Sequence, residues 1–256
     1  MIALSTVLSV IKLFEMPYGG SITLASMLPI AVIAHRHGFK RGISTALVAS
    51  VIQLLLGLKN FSYFTTPESL IALGIFDYIL AFGVFGLVSV FKKWIKNQSV
   101  AATVGVGAAS LLRYLCHVIS GATIWAGLSI PDEAAIMYSL SYNATYMVPE
   151  TIILVLTAAY LTSSLDFTQS MPRRLRSEKL DAVSTWYYGG ASLAVIIALI
   201  TDTILVFSKL QNYESGEFMI TGLIEVDWMT VAIVTASALV IAITLVLINK
   251  VRKNKA

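Results

Sequence analysis

Apolar residues run along this chain in long blocks, separated by short charged or Pro/Gly-rich stretches. The blocks fall at about residues 2–15, 21–35, 42–57, 69–91, 100–128, 135–162, 184–208 and 227–249. A helix needs roughly 17 to 25 apolar residues to cross the hydrocarbon of a bilayer, so the pattern predicts eight candidate spans, the first three of them short. The longest polar break, "SSLDFTQSMPRRLRSEKLDA" at 163–182, separates six spans from two. The expected fold is therefore an all-α integral membrane protein. It has a six-helix unit over 1–162, a basic linker over 163–182 and a two-helix membrane extension over 183–256.

Composition supports the same class. The chain is 57% hydrophobic and 12% charged, with a mean hydropathy of +0.81, against roughly 25% charged residues in a soluble domain. Cys116 is the single cysteine, which excludes a disulfide framework within one chain, and no Cys/His pattern has metal-ligand spacing. No cleavable signal peptide is visible. The short first block suggests a natural start codon upstream of Met1.

Charge gives the orientation. Fourteen of the 18 Lys and Arg residues fall in alternate loops and the tail, at 36–41, 92–96, 173–179 and 250–255. The opposite loops hold only Lys59 and Lys209, together with Glu15, Glu68, Asp132, Glu133, Glu214, Glu217 and Glu225. By the positive-inside rule the basic loops and both termini are cytoplasmic. This asymmetry accounts for the net charge of +4 without a nucleic-acid partner.

Ionisable residues inside spans are costly and are candidates for function: Lys12, Asp77, Arg113, His117, Glu150 and Asp202. At 1.5 Å per residue, Asp77 lies about 12 Å below Ser69, His117 roughly 16 Å below Leu128, and Asn143 about 12 Å below Ala135. Three polar groups from three helices thus share one depth beneath the same mouth, flanked by Trp125 and Tyr138 and faced by the loop "EMPYGGS" at 15–21. A carboxylate, an imidazole, an amide and aromatic rings suit a flat, cationic, hydrogen-bonding ligand. Plainer roles stand beside this one. A lone intramembrane histidine commonly bonds helix to helix, and Trp or Tyr near a mouth commonly anchors the interface. Arg113 can pair with a carboxylate such as Asp77, Lys12 can snorkel from the end of the first span, and Glu150 after Pro149 can face a helix break. The stripe Tyr138, Tyr142 and Tyr146 can serve packing alone, and Asp202 has no evident partner.

"MPYGGSITLASMLPI" (16–30), "FDYILAFGVFGL" (76–87) and "RYLCHVISGATIWAGL…AAIMYSLSYNA" (113–144) resemble the three signature regions of the thiamine-specific substrate-binding S components of energy-coupling-factor (ECF) transporters. The resemblance covers about residues 1–162 and implies a six-helix unit with a vitamin pocket near the extracellular face. It implies that Asp77 contacts thiamine with Tyr78 beside it, and that His117, Trp125, Tyr138 and Asn143 complete the pocket. Gly19, Gly20 and Ser21 match the loop that closes over the ligand. Tyr18 stands where relatives often carry Gln, and Gly20 where some carry Trp. The last two spans have no counterpart in the six-helix unit, and the small-residue surface of the first helix is only partly matched by Ala3 and Ser5.

The family implies high-affinity capture and uptake of thiamine across the bacterial cytoplasmic membrane, with no cofactor. Its partners would be an ECF module of one transmembrane coupling subunit and two ATPase subunits. The chain lacks a GxxxxGK[ST] phosphate loop, so ATP hydrolysis is expected from those partners and the chain itself is not an enzyme. Two rivals remain at this level. One is uptake of a thiamine precursor or another vitamin by the same mechanism. The other is a membrane-embedded enzyme using His117, Asp77 or Glu150, for which no nucleophile or metal motif is present.

Overall fold

A computed structural model describes residues 1–16, 18–126, 128, 135–167, 172–174, 182–210 and 219–255. The acidic loop with Asp132 and Glu133, most of the basic linker, and Glu214 and Glu217 lie outside the described residues. Among the described residues, six helices are long and apolar enough to cross a membrane. They are α3 (Phe39–Leu56), α4 (Pro67–Lys93), α5 (Gln98–Thr123), α6 (Ala135–Ser164), α7 (Ala182–Leu210) and α8 (Trp228–Lys255). Their bounds follow the apolar blocks to within about six residues, with local punctuation at the ends. Thr66 accepts a hydrogen bond from the Ser69 amide ahead of Pro67, and Asn97 accepts one from Val100.

The first two expected spans, 2–15 and 21–35, take a different form. Each is a short helix joined to a strand: α1 (Ile2–Val10) leads into β1 (Lys12–Glu15), and β2 (Ser21–Thr23) leads into α2 (Leu28–His37). At nine and ten residues, these helices reach only about 14 and 15 Å at 1.5 Å per residue. The strands pair antiparallel across a turn in which Gly19 and Gly20 both have positive φ, +96° and +89°, a conformation that favours glycine. Hydropathy joined helix and strand into one block because β1 and β2 are themselves half apolar. Lys12 accordingly stands on the hairpin, 2.6 Å from Glu15, and does not snorkel from a span.

Small residues set the helix spacing. A Cβ at Gly86 of α4 would come within 2.6 Å of the Ile43 backbone on α3, and one at Gly105 of α5 within 2.5 Å of the Val88 carbonyl on α4. These are the close approaches that glycine permits between membrane helices. Gly74 and Gly83 of α4 and Gly107 of α5, by contrast, have only ordinary contacts. α7 and α8 pack chiefly on each other and meet the six-helix unit mainly through α6. Only 6% of the spanning window of α8 is buried, which marks it as lipid-facing.

Lys92 donates to the His35 carbonyl at 3.1 Å, which gathers the ends of α2 and α4 at one end of the bundle. The hairpin, the turn Leu58–Tyr63, the start of α4, the end of α5 and the start of α6 meet at the other end.

Candidate functional site

α4 is not uniform. After an α-helical turn at Pro67–Leu73 it widens into a π-helical segment, Gly74–Leu80, and finishes as a 3-10 helix over Val84–Lys93. Such widened turns recur at functional sites because they re-aim side chains that a regular helix would carry elsewhere. Asp77 and Tyr78 sit on this segment and both line a cavity at the hairpin end of the bundle.

Asp77 organises the cavity. Its Oδ1 lies 3.0 Å from His117 Nδ1 on α5, and its Oδ2 accepts a 2.9 Å hydrogen bond from the Trp125 indole just beyond α5. A carboxylate only accepts hydrogen bonds, so His117 Nδ1 donates to Asp77 and leaves Nε2 as the second hydrogen-bonding nitrogen of the ring. Among the described residues Nε2 is buried and has no hydrogen-bond partner. The depth match between Asp77 and His117 therefore corresponds to direct contact.

Asn143 on α6 joins the same constellation. Its Nδ2 donates to the Ser139 carbonyl at 2.9 Å and lies 3.3 Å from the His117 carbonyl, while Tyr146 donates to its Oδ1 at 2.7 Å. Tyr142 donates to the Gly19 carbonyl at 3.0 Å, tying α6 to the hairpin turn. Tyr78 donates to the Gly57 carbonyl at 3.1 Å and accepts from Asn60 at 3.0 Å. Tyr63, Phe64 and Trp125 form an aromatic wall, with ring centroids of Phe64 and Trp125 4.9 Å apart and edge-to-face.

A second buried network lies below. Arg113 Nη1 and Glu150 Oε2 are 2.9 Å apart, with side chains only 10% and 5% exposed. Thr23 of β2 donates to Glu150 Oε1 at 2.7 Å. Arg113 therefore pairs with Glu150 and not with Asp77, and Glu150 is ion-paired despite following Pro149. The Arg113 guanidinium stands 4.6 Å from the Phe82 ring centroid, and its Nε lacks a partner among the described residues.

Of the residues expected at the site, Gly19, Gly20, Ser21, Asp77, Tyr78, His117, Trp125 and Asn143 line one cavity of about 130 Å³. Tyr138 is not among its lining residues. It lies in the first turn of α6, some 140° around the helix from Asn143, and packs against two apolar clusters. The lining residues Tyr18, Asn60, Phe82, Arg113, Gly121, Tyr142 and Tyr146 complete the wall. Two members of the tyrosine stripe thus face the cavity, a signal that spacing alone left balanced against packing. An adjoining cavity of about 360 Å³ extends between the hairpin and Leu58–Tyr63, past Lys12, Glu15 and Lys59.

Gly20 has a steric reason. A Cβ there would fall 2.7 Å from the Tyr146 ring, so the tyrosine occupies the volume that a larger residue at position 20 would need. Outside the membrane-spanning segments, Glu15 is held below its ordinary value of 4.5 by hydrogen bonds from Lys12 and then Lys59. The latter pair spans 3.1 Å and fastens the hairpin to the neighbouring turn.

Comparison with known proteins gives two findings. The profile of the thiamine transporter protein family (Thia_YuaJ) matches residues 1–169. The thiamine transporter ThiT of Bacillus subtilis (strain 168) is 34% identical over 192 residues, covering 70% of this chain and 92% of that protein. No solved structure matches.

Proposed function

The chain belongs to the thiamine transporter protein family, and on that premise we propose that the Asp77 cavity is its thiamine site and that the chain is the substrate-binding S component of an ECF importer. The observation that carries the assignment is Asp77 holding His117 and Trp125 together while His117 Nε2, buried at the cavity wall, has no partner among the described residues. Thiamine joins an aminopyrimidine, whose amino group donates and whose ring nitrogens accept hydrogen bonds, to a cationic thiazolium ring. His117 Nε2 offers a buried hydrogen-bonding nitrogen, Asp77 balances the positive charge, and Trp125 offers a ring face. Asn143 and Tyr146 supply further polar contact, and Tyr78 is steadied by Gly57 and Asn60. Tyr138 supports the wall from behind.

Size sets the sequence of events. A cavity of about 130 Å³ is smaller than the roughly 300 Å³ at the lower end of ligand pockets, so a two-ring ligand must also draw on the adjoining cavity of about 360 Å³, which shares the hairpin wall. The hairpin is the wall least embedded in spanning helices, and Gly19–Ser21 close over the bound vitamin. The charge asymmetry of the loops supports a hairpin that faces outward, with both termini in the cytoplasm. Delivery to the cell interior then depends on a transmembrane coupling subunit and two ATPase subunits.

Intrinsic fluorescence tests the site. Of the four tryptophans, Trp94 follows α4 at the far end and Trp186 and Trp228 belong to the C-terminal pair, so submicromolar thiamine should quench Trp125 alone. Quenching should vanish in Trp125→Phe, and thiamine should outcompete its isolated pyrimidine half. Quenching that survives Trp125→Phe would place the ligand elsewhere, and equal competition by the pyrimidine half would identify a precursor as the ligand.

A further inference from the structure

The C-terminal helix pair lies wholly beyond residues 1–169, the part that matches the family, yet α7 reaches the ligand-side hairpin. The Phe207 ring meets the Phe14 ring of β1 edge-to-face, with centroids 5.6 Å apart and planes at 80°. Phe207 and Leu210 are only 6% and 1% exposed, and they share one apolar cluster with Met16 and with Ile22 of β2. Met16 also donates its amide hydrogen to the Gly20 carbonyl at 3.0 Å. The cluster that buries Met16 is therefore one backbone hydrogen bond away from the cavity wall.

The hairpin is gripped from two sides. On the ligand side Tyr142 bonds the Gly19 carbonyl and the Tyr146 ring packs on Gly20. On the other side stands the last turn of α7, backed by Leu223 of the 3-10 turn Ile220–Ile224 and closed by Met219 donating to the Leu210 carbonyl at 2.7 Å. Lifting the hairpin far enough to pass a two-ring ligand separates Phe14 from Phe207. That separation exposes apolar surface and forfeits an aromatic pair, so it opposes opening and not closing.

We infer that Phe207 is a positioning residue for ligand binding, and that the C-terminal helix pair clamps the hairpin shut over the cavity and slows release of the bound vitamin. The inference rests on the reading of that cavity as the thiamine site. It gives the two extra helices a role in ligand retention that the six-helix unit alone does not require.

Stopped-flow measurement of thiamine release from the full-length chain, read by Trp125 fluorescence, tests the clamp. Phe207→Ala should release thiamine roughly two- to tenfold faster than wild type, the range an aromatic pair represents, with no slowing of association. Phe207→Leu should fall between the two, and Phe207→Tyr, which keeps the ring, should restore the slow rate. Phe14→Ala should also speed release, and the double variant should be no faster than the quicker single one, because both remove one contact. Wild-type release from Phe207→Ala, or rate increases that multiply in the double variant, would overturn the clamp. If Phe207→Ala does not fold, Phe207→Leu decides, and an unchanged rate there overturns it equally. Failure of thiamine to quench the wild-type chain would instead refute the site itself.

Discussion

The six-helix unit and the C-terminal pair cross the same membrane but treat polar residues differently. In the unit, buried polar groups are tied across elements far apart in sequence. Asp77 of α4 holds His117 and Trp125, and Arg113 of α5 pairs with Glu150 of α6, which in turn accepts from Thr23 of the hairpin. In the pair, the polar contacts are simple by comparison. Thr235 donates to Asp202 at 2.6 Å, and Ser184, Asn249 and Arg252 cluster at the helix ends. Asp202, for which the sequence offered no partner, thus serves to join α7 to α8. Charges inside a bilayer are tolerated where they face a cavity or one another. The unit spends them around a cavity, while the pair uses a few to hold two lipid-facing helices together.

The largest way to break this contrast is to remove one partner of the buried ion pair. Arg113→Ala should destabilise the chain by about 3–5 kcal/mol, because it strands Glu150 uncompensated, and denaturant unfolding in detergent would measure it. A cost below about 1 kcal/mol would show the pair to be incidental. Gly20→Ala should come next. It forces a side chain into positive φ against Tyr146, a strain of order 1–3 kcal/mol, which isothermal titration should register as roughly tenfold weaker thiamine binding.

Thr235→Val should cost only about 0.6 kcal/mol, the average for hydrogen bonds between membrane helices, and should leave thiamine affinity unchanged. A loss of binding there would erase the distinction between the two regions. The smallest effect concerns pH. Because the Glu15 carboxylate is held below its ordinary value of 4.5 by Lys12 and Lys59, its contribution is complete above that value. It disappears as pH falls through the lowered value, when Glu15 is protonated and the hairpin loses its tie to Lys59. Thiamine release should quicken slightly over that acid window in wild type and stay flat in Lys59→Ala.

Much of the architecture was readable from hydropathy, because long apolar blocks have one stable form in lipid. The bounds of α3 to α8 followed from it. The hairpin did not, since its strands continue the apolar runs of α1 and α2 and only the turn glycines mark the reversal. At the site, matched depth brought Asp77, His117 and Asn143 together, as the helix rise dictates. Depth says nothing about azimuth, however, and the π-helical segment at Gly74–Leu80 changes azimuth without a sequence signal. Arg113 and Glu150 illustrate the same limit. They are 37 positions apart, and only the packing of α5 on α6 brings the guanidinium to Glu150 and not to Asp77. The stripe Tyr138, Tyr142 and Tyr146 was ambiguous for the same reason: two of its members line the cavity, and Tyr138 packs behind.

The central claim is that Asp77 is the charged anchor of a thiamine site, and equilibrium binding to purified Asp77→Asn tests it most directly. Hydrogen bonds to a charged group are worth about 1.5–3 kcal/mol, so thiamine affinity should fall by roughly 10- to 150-fold while the variant unfolds as wild type does. Wild-type affinity in a normally folded Asp77→Asn protein would contradict the account.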